Sequence, residues 1–217
     1  MFDYNNSTTF RFDIINHLIA KNGFTRYLEI GVRNPYDCFN RINIETKHSV
    51  DPCIEIDADV NYKLTSDKFF DLLDNSNLDL ESNYKWDVIF VDGLHISDQV
   101  ERDILNSLNH LSDNGFIIMH DCNPPLISHA REDFHDISMP AGGDWNGTTW
   151  KSFYKFRATR SDLEMATIDT DWGVGIISRG SQECCPFDNP FFEYRKFEKN
   201  RHEYLNLISV NEFFSRY

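Results

Sequence analysis

The chain has 217 residues, of which 41% are hydrophobic and 26% charged, and its formal net charge is −14. This length and composition predict one domain with a single core, and no apolar run reaches the roughly 20 residues that a membrane helix needs. The negative charge disfavours a nucleic-acid partner, because phosphate binding relies on clustered Lys and Arg.

The chain start does not show the basic and then apolar layout of a signal peptide, so we expect a cytoplasmic protein without a membrane partner. The spacing of the cysteines argues against a disulfide framework or a zinc knuckle. These residues are Cys38, Cys53, Cys122, Cys184 and Cys185.

The first predicted helix lies within residues 1–23. Ser7 or Thr8 is expected to cap it and Gly23 to end it. Its apolar face carries Phe10, Ile14, Ile15, Leu18 and Ile19.

A short buried strand is predicted at residues 27–30, followed by a turn at Gly31. Glu29 is unusual there, because a buried carboxylate is costly without a partner. Together Glu29 and Gly31 indicate a ligand at the mouth of an open α/β sheet. A strand end with a capping carboxylate is the alternative.

A helix over residues 35–44 and a strand over residues 47–51 come next. Asp51 lies 22 positions after Glu29, as expected for an acidic residue that binds a ribose at the end of a second strand. A turn Asp before Pro52 is the alternative.

A third strand is predicted at residues 62–65, and Ser66 and Asp67 open the helix after it. Ser66 or Asp67 is expected to act as a plain helix cap, or to contribute to a nucleotide pocket.

The strongest strand pattern, residues 86–91, ends at Asp92. Ser97 is expected to cap the next helix and Gly115 to close it. A strand at residues 116–119 then ends in His120 and Asp121.

Residues 122–147 form a long connection, interpreted as a substrate-side loop or lid with a short helix near Ala130. Thr148 or Thr149 is expected to cap another helix, and residues 163–170 and 174–178 to form an antiparallel hairpin. The tail, residues 181–217, is expected to be helical and to pack on the sheet or on a second subunit of a homo-oligomer.

This order predicts a single α/β domain, with its core at residues 24–180. The expected fold is a doubly wound, Rossmann-like, mostly parallel sheet of seven strands. It has an antiparallel terminal hairpin and helices on both faces.

Five segments occur in an order and spacing that resemble class I S-adenosylmethionine (SAM)-dependent methyltransferases. Within that class, the chain looks most similar to the metal-dependent sugar and macrolide O-methyltransferases. The segments are residues 27–31, 49–51, 65–67, 87–95 and 115–121.

The resemblance implies cofactor-binding roles for several strand-end residues. Glu29 and Gly31 would lie at the amino-acid part of SAM and Asp51 at its ribose, and Asn34 is a further cofactor-binding candidate. Ser66 and Asp67 would lie near the adenine. The chain departs from the family at Arg33, where a second glycine is usual, and Arg33 would either narrow the pocket or turn away.

The resemblance also implies a metal site at Asp92, His120 and Asp121, with His120 in place of an acidic residue. Three alternatives follow: no metal, a metal on the two aspartates alone, or an ion such as Mn²⁺ that tolerates imidazole better than Mg²⁺ does. The alternative to a metal site is that Asp92 and Asp121 are hydrogen-bonded strand caps and that His120 has a structural role.

His95 is the predicted general base, because an imidazole can take the proton of a reacting hydroxyl near neutral pH. A helix-capping role is the alternative. The predicted acceptor is a small molecule or a sugar, and aromatic residues such as Trp145 and Trp150 would stack on it or belong to the core.

Two other functions are the alternative hypotheses. A nicotinamide-dependent oxidoreductase would need a G-x-G-x-x-G turn, and only one glycine is present after the first strand. A nucleotide-binding protein without catalysis is the second.

Overall fold

The computed structural model describes residues 7–136, 138 and 140–217. Its α-helices are α1 (Arg11–Asn22), α2 (Ser66–Asp74), α3 (Ser97–His110), α4 (Thr149–Thr159), α5 (Tyr194–Leu205) and α6 (Val210–Arg216). Its strands are β1 (Arg26–Ile30), β2 (Thr46–Val50), β3 (Trp86–Val91), β4 (Leu111–Met119), β5 (Leu163–Ile168), β6 (Val174–Arg179) and β7 (Leu207–Ile208).

The strands form one seven-stranded sheet in the order β2-β1-β3-β4-β6-β5-β7. Strands β1 to β4 pair in parallel, whereas β6 is antiparallel to both of its neighbours, β4 and β5. The doubly wound α/β fold with an antiparallel terminal hairpin is therefore confirmed.

Helices cover both faces of the sheet, because its central strands are apolar on both sides. Helices α2 to α5 pack against one face, where Trp86 and Trp150 are buried. Helices α1 and α6 pack against the other face, through Ile14, Leu18 and Phe213. Among the described residues, no helix is both long and apolar enough to span a membrane.

Two predicted elements are wrong. The predicted helix at residues 35–44 contains only a short 3-10 turn, Phe39–Arg41. The predicted third strand at residues 62–65 is a single bridge between Tyr62 and Val50, and the seventh strand is instead β7 in the tail. Both segments are too short to show a reliable period.

Several helix ends also differ from the prediction. Helix α1 begins after Phe10, whose N–H donates to Asp13, rather than at Ser7 or Thr8, and Gly23 ends it as predicted. Thr65, one residue before the predicted cap, caps α2. The chain passes directly from His110 of α3 into β4, so Gly115 lies inside the strand and does not close the helix.

The expected helix near Ala130 is a turn, and α4 begins at Thr149 as expected. In the tail, α5 packs on α4 through the rings of Phe197 and Trp150, whose centroids are 4.3 Å apart. Trp150 is 1% exposed, so it belongs to the core.

Candidate active site

The carboxyl ends of four neighbouring strands stop in one aligned row. Ile30 of β1 pairs with Val50 and Val91, and Val91 pairs with Met119. The next residues along these strands are Gly31, Asp51, Asp92 and His120. Because the row is in register, their side chains and backbones meet at one edge of the sheet, where open α/β folds bind ligands.

Glu29 precedes Ile30, the last residue of β1, and its side chain is buried, with 1% of the residue exposed. Its carboxyl group accepts a 2.5 Å hydrogen bond from the Tyr27 hydroxyl. Burial, aided by the charge of Asp92 and opposed by the Tyr27 hydrogen bond, raises the pKa of Glu29 to about 8. A cation bound nearby would lower this pKa and favour the carboxylate form of Glu29.

Gly31 has a left-handed backbone, with φ of +83°. A Cβ there would lie 2.3 Å from the backbone of Asp92 and Gly93. The backbone of the neighbouring strand end therefore lies so close to Gly31 that a residue with a side chain would not fit there.

Asp51 is held by the backbone of two loops. Its Oδ2 accepts from Arg33 N–H at 2.8 Å and its Oδ1 from Cys53 N–H at 2.6 Å. Arg33 has φ of +48°, in the left-handed region that glycine adopts without steric cost. The Arg33 side chain turns towards solvent and pairs with Glu55 at 2.8 Å, so of the two alternatives it turns away.

Asn34 orders the turn after β1, since its carboxamide donates to Asp37 and accepts from Tyr36 N–H. Ser66 and Asp67 start α2, where both accept from Gln99 Nε2 at 3.1 Å. Gln99 also donates to buried Asp103. The predicted adenine side thus includes residues of α3 that the sequence did not single out.

Three candidate ligands converge next to this row. His95 Nε2 lies 3.3 Å from Asp92 Oδ1 and 3.4 Å from Asp121 Oδ2. His95 Nδ1 lies 3.3 Å from the Trp145 carbonyl, which can only accept, so Nδ1 carries a proton. In the neutral ring, Nε2 therefore presents a lone pair to the acidic cluster.

Asp121 is oriented by two contacts and by its backbone. Its φ is +60°, which is uncommon for a residue with a side chain. Oδ1 accepts from Asn146 Nδ2 at 2.8 Å, and Oδ2 lies 2.8 Å from His120 Nδ1. Such backbone strain is often found at functional sites.

Arg11, the first residue of α1, reaches into the same cluster. Its guanidinium contacts His120, lies 3.3 Å from Asp171 Oδ2 and approaches Asp92 Oδ2 to 3.9 Å. His120 lies 3.4 Å from Asp92 Oδ1, so it points into the rim rather than away from it. The cluster thus pairs three carboxylates with Arg11, His95 and His120.

The electrostatics of the cluster follow from this pairing. Burial would raise the pKa of Asp92, but His120, His95 and Arg11 outweigh it and hold that pKa below its ordinary value. Burial likewise opposes protonation of His95 and His120, yet Asp121 and Asp92 raise the pKa of both imidazoles. The positive and negative charges stabilise one another.

No sequence motif marks Arg11 or Asp171 as a site residue. Arg11 stands in the first turn of a helix, where the helix dipole disfavours a cation, and this is the one local hint. Asp171 reads as an ordinary hairpin residue, and only the antiparallel placement of β6 beside β4 brings it to the rim.

The connection at residues 122–147 is organised by buried Arg131. Its guanidinium donates to the carbonyls of Ser128, Asp144 and Gly142, at 2.7, 2.8 and 2.8 Å. Trp145, near the end of this connection, stacks on the His95 ring with centroids 5.0 Å apart. The loop therefore forms one wall around His95, and Ile137 and Met139 lie outside the described residues.

Gly147→Ala is expected to displace His95. Gly147 has φ of +60°, and an added Cβ would lie 2.1 Å from the His95 carbonyl oxygen. We expect a loss of roughly 2 to 4 kcal/mol of stability, from backbone strain and overpacking together, measured by chemical denaturation.

Gly142→Ala is the matched control, because Gly142 has φ of +58° but no atom within 4 Å of the added Cβ. Both variants carry the same backbone penalty, so the difference between them isolates the contact with His95. Equal losses of stability would contradict this packing.

The donors Asp92 Oδ1, His95 Nε2 and Asp121 Oδ2 fit a divalent ion. They lie within 4.8 Å of one another. Ligands about 2.1 Å from one octahedral ion lie about 3 Å apart when adjacent, near the 3.3 and 3.4 Å separations here. The structure thus groups His95 with the two aspartates, whereas His120, which the sequence placed among the ligands, contacts Asp121 and Arg11.

A comparison with known protein families assigns a function-bearing domain to the segment that contains these strand ends. Residues 18–122 match the model of a methyltransferase domain family. This segment spans β1 to β4 and therefore all four strand ends of the aligned row. The resemblance predicted from the sequence is confirmed.

Solved structures are similar to this chain at low sequence identity. The SAH-bound methyltransferase PaMTH1 of Podospora anserina is 14% identical with a TM-score of 0.53, covering 78% of this chain and 77% of its own. The O-methyltransferase TomG of Streptomyces achromogenes, in complex with SAM, is 16% identical with a TM-score of 0.48, covering 77% and 79%. An SAH complex of an O-methyltransferase from Bacillus cereus is 15% identical with a TM-score of 0.48, covering 75% and 76%. No curated protein matches the sequence significantly.

Proposed function

We propose that this protein is a SAM-dependent O-methyltransferase that acts on a hydroxyl group of a small molecule or sugar. The observation that carries the proposal is the in-register row of strand ends, which places Asp51, Gly31 and Asp92 side by side in a segment that matches the methyltransferase family model. The site of a bound nucleotide in such folds lies at this edge.

The row offers one group for each part of the cofactor. Glu29, two residues before Gly31, would pair with the ammonium group of the cofactor's amino-acid part, whose charge favours the carboxylate form. Gly31 and Asn34 form the turn beside it. Asp51 keeps free lone pairs on both oxygens to accept the ribose hydroxyls. Ser66 and Asp67, at the start of α2, lie on the adenine side.

The chemistry assigned to the chain is proton removal and alignment. His95 Nε2 takes the proton of the acceptor hydroxyl, and Asp92 and Asp121 stabilise the imidazolium that forms. The wall made by Trp145 limits where the acceptor oxygen can lie, which favours attack in line with the transferred methyl group. A divalent ion held by Asp92, His95 and Asp121 would occupy the Nε2 lone pair, so it would act in place of the imidazole base, by lowering the pKa of a neighbouring hydroxyl.

Methyl transfer from SAM to a panel of hydroxylated acceptors tests the proposal. The panel covers sugars, phenols and hydroxylated macrocycles, with and without Mg²⁺ or Mn²⁺, and the readout is formation of S-adenosylhomocysteine (SAH). Turnover with at least one hydroxyl acceptor, and none with its deoxy or O-methylated analogue, supports O-methylation. Transfer only to amine or thiol acceptors would contradict it.

A nucleotide-binding protein without catalysis is the other candidate. Arg33 and His120, which depart from the family pattern, are the residues that favour it. Arg33, however, turns to solvent beside Glu55, so its side chain does not argue against cofactor binding. Tight SAH binding without turnover over the whole panel would favour this candidate. A nicotinamide-dependent oxidoreductase lacks support, because Val32 and Arg33 follow Gly31 in place of a glycine-rich turn.

A further inference from the structure

Arg11 is placed where its charge is opposed by its own helix. As the first residue of α1, it stands at the positive end of the helix dipole. Its side chain is 19% exposed, so solvent screens it only in part. A cation in this position needs carboxylate partners to be stable.

Those partners are the carboxylates of the candidate active site. Asp171 accepts from the Arg11 backbone N–H at 3.0 Å and lies 3.3 Å from the guanidinium, which fixes the start of α1 against the hairpin turn. Burial opposes the charged form of Arg11, but Asp92 and Asp171 outweigh it and raise the pKa of the guanidinium. The two carboxylates therefore stabilise the positive charge.

The two oxygens of Asp92 face different cations. Oδ1 lies 3.3 Å from His95 Nε2 and belongs to the candidate metal site, whereas Oδ2 lies 3.9 Å from Arg11 Nε. Among the described residues, Arg11 Nε has no hydrogen-bond partner. The guanidinium is thus held beside a metal ligand as a fixed charge, without closing the side of Asp92 that faces His95.

We propose that Arg11 is an internal cation that sets the affinity of the Asp92–His95–Asp121 site for divalent ions. This inference rests on the metal site included in the proposed function. A guanidinium stays charged at all working pH values, so its repulsion acts on any ion that binds across Asp92. Arg11 therefore weakens the binding of every divalent ion at this site, and it partly neutralises the acidic rim when no ion is bound.

Mn²⁺ titration of the full chain tests the proposal. The protein is first treated with a chelator, which is then removed, and the electron paramagnetic resonance signal of free Mn²⁺ measures binding. Arg11→Gln removes the charge and is expected to bind Mn²⁺ at least about tenfold more tightly than the wild type, because unit charges near 4 Å interact strongly at a partly buried site. Arg11→Lys keeps the charge and is expected to stay within about threefold of the wild type.

Arg160→Gln is the matched control, since Arg160 forms an ion pair with Asp162 at 2.6 Å after α4, outside the cluster, and loses the same charge. It is expected to match the wild type. Arg11→Met, which keeps an aliphatic stem, replaces Arg11→Gln if circular dichroism shows that the latter does not fold.

Equal affinity of the wild type and the charge-removing variant, including no measurable binding by either, would overturn the role of Arg11. Equal gains in Arg11→Gln and Arg160→Gln would also overturn it, because net charge alone would then explain the effect. Absence of methyl transfer by the wild type would overturn the proposed function and leave this comparison of affinities intact.

Discussion

Replacing His95 by alanine is expected to lower the turnover number by about 10²- to 10⁴-fold, the usual contribution of a general base. The reason is that Nε2 is the basic atom of His95 that faces the acidic cluster, since Nδ1 is committed to the Trp145 carbonyl. Single-turnover methyl transfer at saturating SAM measures this effect without a contribution from product release.

His202→Ala is the control, because His202 is exposed on α5. Mn²⁺ affinity of His95→Ala then separates the two roles of the imidazole. A base that does not bind the ion leaves Mn²⁺ affinity unchanged, whereas a ligand lost from the site weakens it. Turnover within threefold of the wild type would remove His95 from the mechanism.

Replacing Glu29 by glutamine is expected to stabilise the protein at high pH. The pKa of Glu29 in the folded chain is about 8, against an ordinary value of 4.5. As pH rises between these values, the unfolded chain loses the proton and the folded chain keeps it, so stability falls. The loss is complete above pH 8 and amounts to on the order of 5 kcal/mol.

Glutamine carries no proton to lose and still accepts from the Tyr27 hydroxyl. We expect the melting temperature of Glu29→Gln to exceed that of the wild type by about 10 °C near pH 8.5, and to match it closely near pH 4.5. Glu81→Gln, at an exposed position, should show no such dependence. A gain that is the same at both pH values would contradict the burial of an ionisable group at Glu29.

The sheet could be predicted because its strands carry strong local signals. Residues 86–91 are a continuous apolar run bounded by Asp92, and the hairpin is marked by the short turn at Asp171. The positions of the strand ends followed from this pattern, so Glu29, Asp51, Asp92 and Asp121 were placed at one edge. In-register pairing of β1 to β4 explains why that expectation was correct.

The composition of the acidic cluster could not be predicted, because it depends on contacts between distant segments. Arg11 and Asp171 are 160 residues apart and meet only because α1 packs beside the hairpin turn. Likewise, the carbonyls that Arg131 holds are spread over the loop, and no local pattern marks them. The sequence therefore predicts Asp92, Asp121 and the two imidazoles of the rim, but neither Asp171 nor the guanidinium of Arg11 that pairs with the carboxylates.

Calorimetric titration of SAH tests the central claim, that the aligned strand ends form a cofactor site. The wild type is expected to bind SAH in the micromolar range, and Asp51→Asn at least about tenfold more weakly, since it loses charge-assisted hydrogen bonds to the ribose. Asp59→Asn, at an exposed position in the loop after β2, is expected to bind as the wild type does. No SAH binding by the wild type, or equal affinities in Asp51→Asn and Asp59→Asn, would contradict the claim.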